Sequence, residues 1–183
     1  RLQSYGLTIM SGRVKREKLA AYLQKEGSQT AFTITDRAGW HEDSYIMPSG
    51  ETITATDKDP AIIYNGDTSQ AKAYQPSGEL TDWQQNIARY AVGNSRLCLA
   101  LGASFAAPLL SLLNEESGGF HLMGDSSDGK TTAAKAALSV WGKPSGSLLS
   151  WSGTKIGFSN TAAARNDGLL VLDEIGQASP HVI

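Results

Sequence analysis

Gly124-Asp-Ser-Ser-Asp-Gly-Lys-Thr-Thr132 is the stretch from which the rest of the chain is read. It fits G-x-x-x-x-G-K-[ST], the phosphate-binding loop, with Gly124, Gly129, Lys130 and Thr131 in the fixed places. Two glycines let the backbone wrap a polyphosphate so that successive N–H groups point inward as an anion nest. A helix beginning at the loop adds the positive end of its dipole. The reading assigns Gly124, Ser126, Ser127, Asp128, Gly129, Lys130, Thr131 and Thr132 to the nucleotide. Lys130 reaches toward the β- and γ-phosphates and acts in catalysis, and the Thr131 hydroxyl goes to Mg²⁺. The flanks supply the expected context. Gly119-Phe-His-Leu-Met-Gly124 reads as a short buried strand, and Thr131–Trp141, rich in alanine, as a helix of strong formers.

A second signal lies downstream in Leu169-Leu-Val-Leu-Asp-Glu174, four aliphatics ending in two carboxylates. Such a run predicts a buried strand that delivers acids to its C-terminal edge, where ligands of open α/β sheets bind. Asp173 is the expected carboxylate partner of Thr131 on Mg²⁺. Glu174 is then placed to orient and deprotonate an attacking water. Taken alone the stretch is only a strand running into an acidic turn. Following a phosphate loop, it reads as the second half of an NTPase site.

Bulk properties bound what remains. The 183 residues suit one large domain or two small ones, and 40% hydrophobic with 19% charged residues is ordinary for a globular protein. Cys98 is the only cysteine, which excludes an intrachain disulfide and a Cys-rich metal site and fits a reducing cytoplasm. His41, His121 and His181 lack ligand spacing, so no zinc site is expected. Residues 1–26 hold six Lys/Arg against two Glu, leaving −6 on the rest of a chain whose total is −2. Arg13, Lys15, Arg16 and Lys18 crowd one run, the usual signature of a solvated helix face, with a phosphate-backbone contact as the alternative. Arg1-Leu-Gln-Ser-Tyr does not open a signal peptide and reads like a cut into a longer domain. Leu97–Leu113 is apolar but shorter than a bilayer span and contains Pro108. A buried helix, bent or broken before Pro108, is expected there, and no membrane partner.

Along the chain the texture changes once. Arg13–Glu26 reads as an amphipathic helix with Val14, Leu19, Tyr22 and Leu23 on one face and Gly27 as its stop. Short β-like pieces follow at Thr30–Thr35, Gly39–His41, Ser44–Met47, Glu51–Thr54 and Ala61–Tyr64, separated by turn residues, which predicts a small antiparallel sheet of hairpins. Trp40 and Tyr45 are expected in sheet packing rather than stacked on bases. Gln75–Gly78 looks like a linker. Thr81 and Gln84 have capping-box form for a helix to about Val92. Beyond the loop helix, Ser147–Trp151 predicts a strand and Thr154–Arg165 a helix capped near Thr154. Arg165, the only arginine after the phosphate loop, is expected in a surface or capping role rather than as an arginine finger. A strand between the two motif strands, with a glutamate as base, is the arrangement of the additional-strand class of NTPases.

At these residues the chain also resembles a known family. Gly119–Thr132, Ala137–Gly142 and Asn166–Gln177, with Gly39-Trp-His41 and Tyr45–Pro48 upstream, are similar to the family catalogued as domain of unknown function nine-two-seven. The resemblance implies a P-loop ATPase of bacteria, phages and mobile elements, often beside primase modules and similar to hexameric replicative helicases. By the same resemblance it implies ATP and Mg²⁺, DNA as partner, a homo-oligomer, and site roles for Lys130, Thr131, Asp173 and Glu174.

The expectation is therefore an α/β P-loop NTPase of the additional-strand type, incomplete at the C-terminus and preceded by a small α+β domain. The expected division is a 1–76 domain with antiparallel strands, then 77–183 with the helical lead-in and ATPase core. The leading function is the ATPase motor of a replicative helicase or primase-helicase of a phage or mobile element. An ATP-dependent assembly module without turnover and a small-molecule phosphotransferase stay open. In the additional-strand class a strand following Asp173 lies between the loop strand and the Leu169–Leu172 strand. The 183 residues by themselves are accordingly expected to bind nucleotide weakly, hydrolyse it negligibly and self-associate.

Overall fold

The computed structural model describes residues 8, 12–26, 31–55 and 61–178. Expectations resting on Arg1–Tyr5, Gly27, Thr30, His181 and Ile183 lie outside them. The chain divides into two units, residues 1–32 and 33–183. In the first, α1 (Arg13–Glu26) has no buried residue. The face expected from Val14, Tyr22 and Leu23 is exposed, and an Arg13–Glu17 pair at 2.7 Å spans one helical turn.

The second unit opens with β1 (Thr33–Thr35), then β2 (Gly39–His41), β3 (Ser44–Ile46), β4 (Thr52–Thr54) and β5 (Ile62–Tyr64). β2, β3 and β4 form the expected antiparallel meander, with Trp40 opposite Tyr45 and Tyr45 opposite Ile53. β1 and β5 depart from the hairpin expectation and pair parallel, Thr33 opposite Ile62. Turn residues mark where a chain reverses, not which strand it returns to. Tyr45, Met47, Ala73 and Tyr74 form a small core closed by Trp40 and Trp141. Residues on both sides of Gln75–Gly78 thus share this core.

α2 runs only over Leu80–Asn86, with Glu79 at its N-cap and no side-chain cap. Thr81 lies inside the first turn, so the expected capping box does not form. Ile87, at φ −127°, breaks the helix, and a 3₁₀ turn (Ala88–Ala91) replaces the continuation toward Val92. α3 (Ser95–Leu112) is capped by Asn94, whose side chain accepts from the Leu97 N–H. It continues through Pro108 as one helix, so of the expected bend or break the break does not occur. Proline removes the N–H that the carbonyl four residues back normally receives. That carbonyl, on Ser104, accepts instead from Trp141 Nε1 at 3.2 Å. Nor is α3 a buried helix: only Leu101 and Ser104 are buried, while Leu99, Phe105, Leu109 and Leu112 are exposed. By length and composition α3 would suffice to cross a membrane. It packs on α4 (Lys130–Leu138), with Ser104 donating to the Ala137 carbonyl at 2.7 Å. Ala91, Leu101 and Ala136, flanked by Trp83, Ile87, Leu97 and Val140, make the second core.

A short helix, α5 (Pro144–Ser147), leads into β6 (Leu149–Ser150), the shortened form of the strand expected over Ser147–Trp151. α6 (Lys155–Ala163) starts where expected, the Thr154 hydroxyl accepting from the Gly157 N–H. β7 (Leu172–Asp173) pairs parallel with β6, Leu149 opposite Leu172 and Ser150 opposite Asp173. Among the described residues Gly119–Gly124 pairs with nothing, and Phe120 and Met123 are exposed rather than in a buried strand. A strand exists by its ladder, and neither side of this stretch has one. Arg165 is not at the surface: it is 6% exposed, with its guanidinium 5.6 Å from the Tyr74 ring centre. It takes the expected capping role instead, donating to the Thr161 carbonyl in the last turn of α6 at 3.3 Å.

Candidate functional site

Gly129 stands at the junction of loop and α4 with φ 82°, a conformation glycine adopts without steric cost, and supplies no side-chain cap. The first N–H groups of α4 are therefore left without a cap at the mouth of the loop, where anions bind well. Ser127, a non-glycine at φ 70°, turns the loop tip. Asp128 folds inward: its carboxylate accepts from the Asp125 N–H at 2.8 Å and lies close over Gly124, where a Cβ would meet Oδ2 at 2.6 Å. Lys130 also turns back, its ammonium donating to the Gly124 carbonyl at 2.8 Å and to that of Asp125. Ser126, Ser127, Thr131 and Thr132 are exposed.

The two motif stretches meet here. Thr131 Oγ1 donates to Asp173 Oδ2 at 3.0 Å, across 42 residues of sequence. Asp173 reaches that position at the end of β7, whose pairing with β6 is extended by Leu149 N–H to Val171 O (3.3 Å) and Trp151 N–H to Asp173 O (3.2 Å). Hydroxyl and carboxylate together form a hard-oxygen donor pair of the kind Mg²⁺ takes beside phosphate oxygens and water. Glu174 follows at φ 59°, a left-handed conformation uncommon outside glycine, and caps a 3₁₀ turn (Ile175–Gln177). Its carboxylate is exposed and accepts from the Gln177 amide, one position along the chain from Asp173.

An open groove of about 1650 Å³ is lined by Phe120–Gly124, Lys130, Leu169–Leu172, Asp173 and Glu174 together with one face of α3. A smaller cavity of about 400 Å³ adjoins the loop, lined by Arg96, His121, Met123 and Lys130 among others. Two features escaped the sequence reading. One is the inward Asp128 carboxylate. The other is the turn before β7, where Asp167 sits at φ 51° and is bonded to β2 and β3. The Asn166-Asp-Gly168 triplet, a turn former, was its one visible signal.

A family model described as "Domain of unknown function (DUF927)" matches residues 1–183. No curated protein matches the chain. Among solved structures, one described as "SCCmec type IV Cch - active helicase" matches with a TM-score of 0.68 at 22% identity, covering 97% of this chain and 36% of that one. At that identity the likeness establishes a shared α/β fold. The chain spans 36% of the length of the helicase it resembles.

Proposed function

This chain belongs to the family described as domain of unknown function (DUF927), and on that premise we propose that it carries the MgATP site of a P-loop ATPase, the motor part of a helicase-like protein of a mobile element. The observation that carries the reading is the 3.0 Å contact between Thr131 Oγ1 and Asp173 Oδ2, which joins the two motifs. The active helicase of matching fold supports it.

In this reading the loop N–H groups and the start of α4 receive the phosphates, and Lys130 exchanges its two carbonyl partners for β- and γ-phosphate oxygens. Thr131 and Asp173 would hold Mg²⁺, which when bound would neutralise charge developing on the transferred phosphoryl group. Phosphate oxygens and water would supply the remaining ligands, as Mg²⁺ usually keeps them. Glu174 leaves Gln177 and accepts a proton from water as the water oxygen bonds to the γ-phosphorus and the bond to the bridging oxygen breaks. The groove lined by both apolar motif stretches fits a further strand of the intact protein, as the additional-strand arrangement requires. We read the intact protein as a cytoplasmic homo-oligomer, hexameric by analogy, acting on DNA. Phosphate release by the intact protein with and without DNA tests this. DNA-stimulated hydrolysis is expected. Nucleotide-driven assembly without phosphate release, or transfer to a metabolite, would refute the motor.

A further inference from the structure

The antiparallel sheet β2–β3–β4 takes no part in the chemistry above, yet it touches the far ends of both motif elements. On one side the Tyr45 ring stacks on Trp141, just past α4, with centroids 6.2 Å apart. On the other, the Tyr45 hydroxyl donates to the Asp167 carbonyl at 3.0 Å. The Trp40 N–H donates to Asp167 Oδ2, also at 3.0 Å, and Asn166 steadies the same oxygen at 2.9 Å. Arg37 in turn holds the Asn166 side chain at 2.9 Å. The approach is close enough that a Cβ on Gly39 would come within 2.5 Å of both Asn166 O and Asp167 Oδ2.

From this base two arms run toward the candidate site. One is α4, which runs from Leu138, three residues before Trp141, back to Lys130. The other runs from the Asp167 turn through Gly168–Val171 to β7 and Asp173. Their tips meet at the Thr131–Asp173 contact. The second arm is weakly registered by its own ladder, because β7 pairs over only two residues, Leu172 and Asp173. Side chains alternate faces along a strand, so a slip of one residue turns Asp173 away from Thr131. The bonds at Asp167 fix where the strand begins and so which residue ends opposite Thr131.

We propose that Asp167 and Tyr45 are positioning residues for the Mg²⁺ site, setting the separation of Thr131 from Asp173 by fastening the turn before β7 to the sheet that also abuts the end of α4. The inference rests on the MgATP reading above. Its test is a Mg²⁺ titration of fluorescent-ATP-analogue binding to the intact protein, with affinity in EDTA measured beside it. Partners that orient metal ligands typically contribute 10–100-fold to metal affinity, so Tyr45→Phe and Asp167→Ala should raise the half-saturating Mg²⁺ by about tenfold. Metal-free affinity should stay at the wild-type value, since the loop is untouched. Asp167→Asn should restore the Mg²⁺ dependence, because its amide oxygen still accepts from Trp40. If Asp167→Ala does not fold, Tyr45→Phe, which removes a single hydroxyl, carries the test. Folded variants with wild-type Mg²⁺ dependence, or a parallel fall in metal-free and Mg²⁺-dependent affinity, would overturn the positioning role alone. A wild type that binds no nucleotide at any Mg²⁺ concentration would overturn the MgATP reading and this inference with it.

Discussion

Gly39→Ala puts the packing of sheet on turn to a quantitative test. The residue is buried at φ 92°, and an added methyl would sit 2.5 Å from Asn166 O and Asp167 Oδ2 and 2.9 Å from Asn166 C. Two of these atoms are backbone, so no side-chain rotation relieves the overlap. A backbone conformation unfavourable to alanine costs about 1–3 kcal/mol. Displacing the turn also weakens the Trp40 N–H bond to the Asp167 carboxylate, and a bond to a charged partner contributes about 1.5–3 kcal/mol. The expected loss is about 3–5 kcal/mol, in the upper tail for point substitutions. Gly93→Ala is the control, since Gly93 has φ 77° but open space around its Cβ position. It should lose only the conformational part, about 1–2 kcal/mol. Urea unfolding followed by tryptophan fluorescence separates them, because Trp40 and Trp141 both report on the core in question. A Gly39→Ala midpoint no lower than that of Gly93→Ala would refute the close approach of β2 to the 166–167 turn.

Two further outcomes follow from the same geometry. Glu174→Gln in the intact protein should bind MgATP normally and lose turnover by about 10²–10⁴-fold, the usual worth of a positioned base, and near-wild-type phosphate release would remove Glu174 from that role. Burial, and then the negative charge of Asp167, push the Tyr45 phenol from 10.0 up to about 12. A raised value favours the neutral form in the fold, so this stabilisation is complete below pH 10 and lost as pH rises toward 12, about 2–3 kcal/mol in all. Urea midpoints measured at pH 8 and pH 11 should therefore converge in Tyr45→Phe relative to wild type, whereas parallel curves would contradict the buried neutral phenol.

The sequence made local chemistry legible where composition and spacing leave few options. The loop that begins at Gly124 runs into a helix starting at Lys130, and Asp173 ends a strand beside Ser150, though that strand is only Leu172–Asp173 and half-buried rather than the buried run Leu169–Leu172. What it concealed depends on partners far along the chain. Pro108 sits within an intact α3 because Trp141 takes the carbonyl that proline leaves free. Phe120–Met123 has the composition of a strand, but composition does not supply a ladder. Thr33–Thr35 and Ile62–Tyr64 alternate like hairpin strands and pair parallel across the meander. Asp167 reads as an ordinary turn residue, and only the fold brings Trp40 and Tyr45 to it across more than a hundred residues.

The central claim is a phosphate site built on Lys130 and on Thr131 with Asp173. Calorimetric titration of MgATP into the intact protein and its Lys130→Ala variant tests it most directly. The ammonium now bonded to the Gly124 and Asp125 carbonyls is the one cation within the loop sequence. A charge-assisted bond to phosphate contributes about 1.5–3 kcal/mol, so losing it should weaken binding by about 10–100-fold. Equal MgATP affinity in wild type and variant would contradict the site.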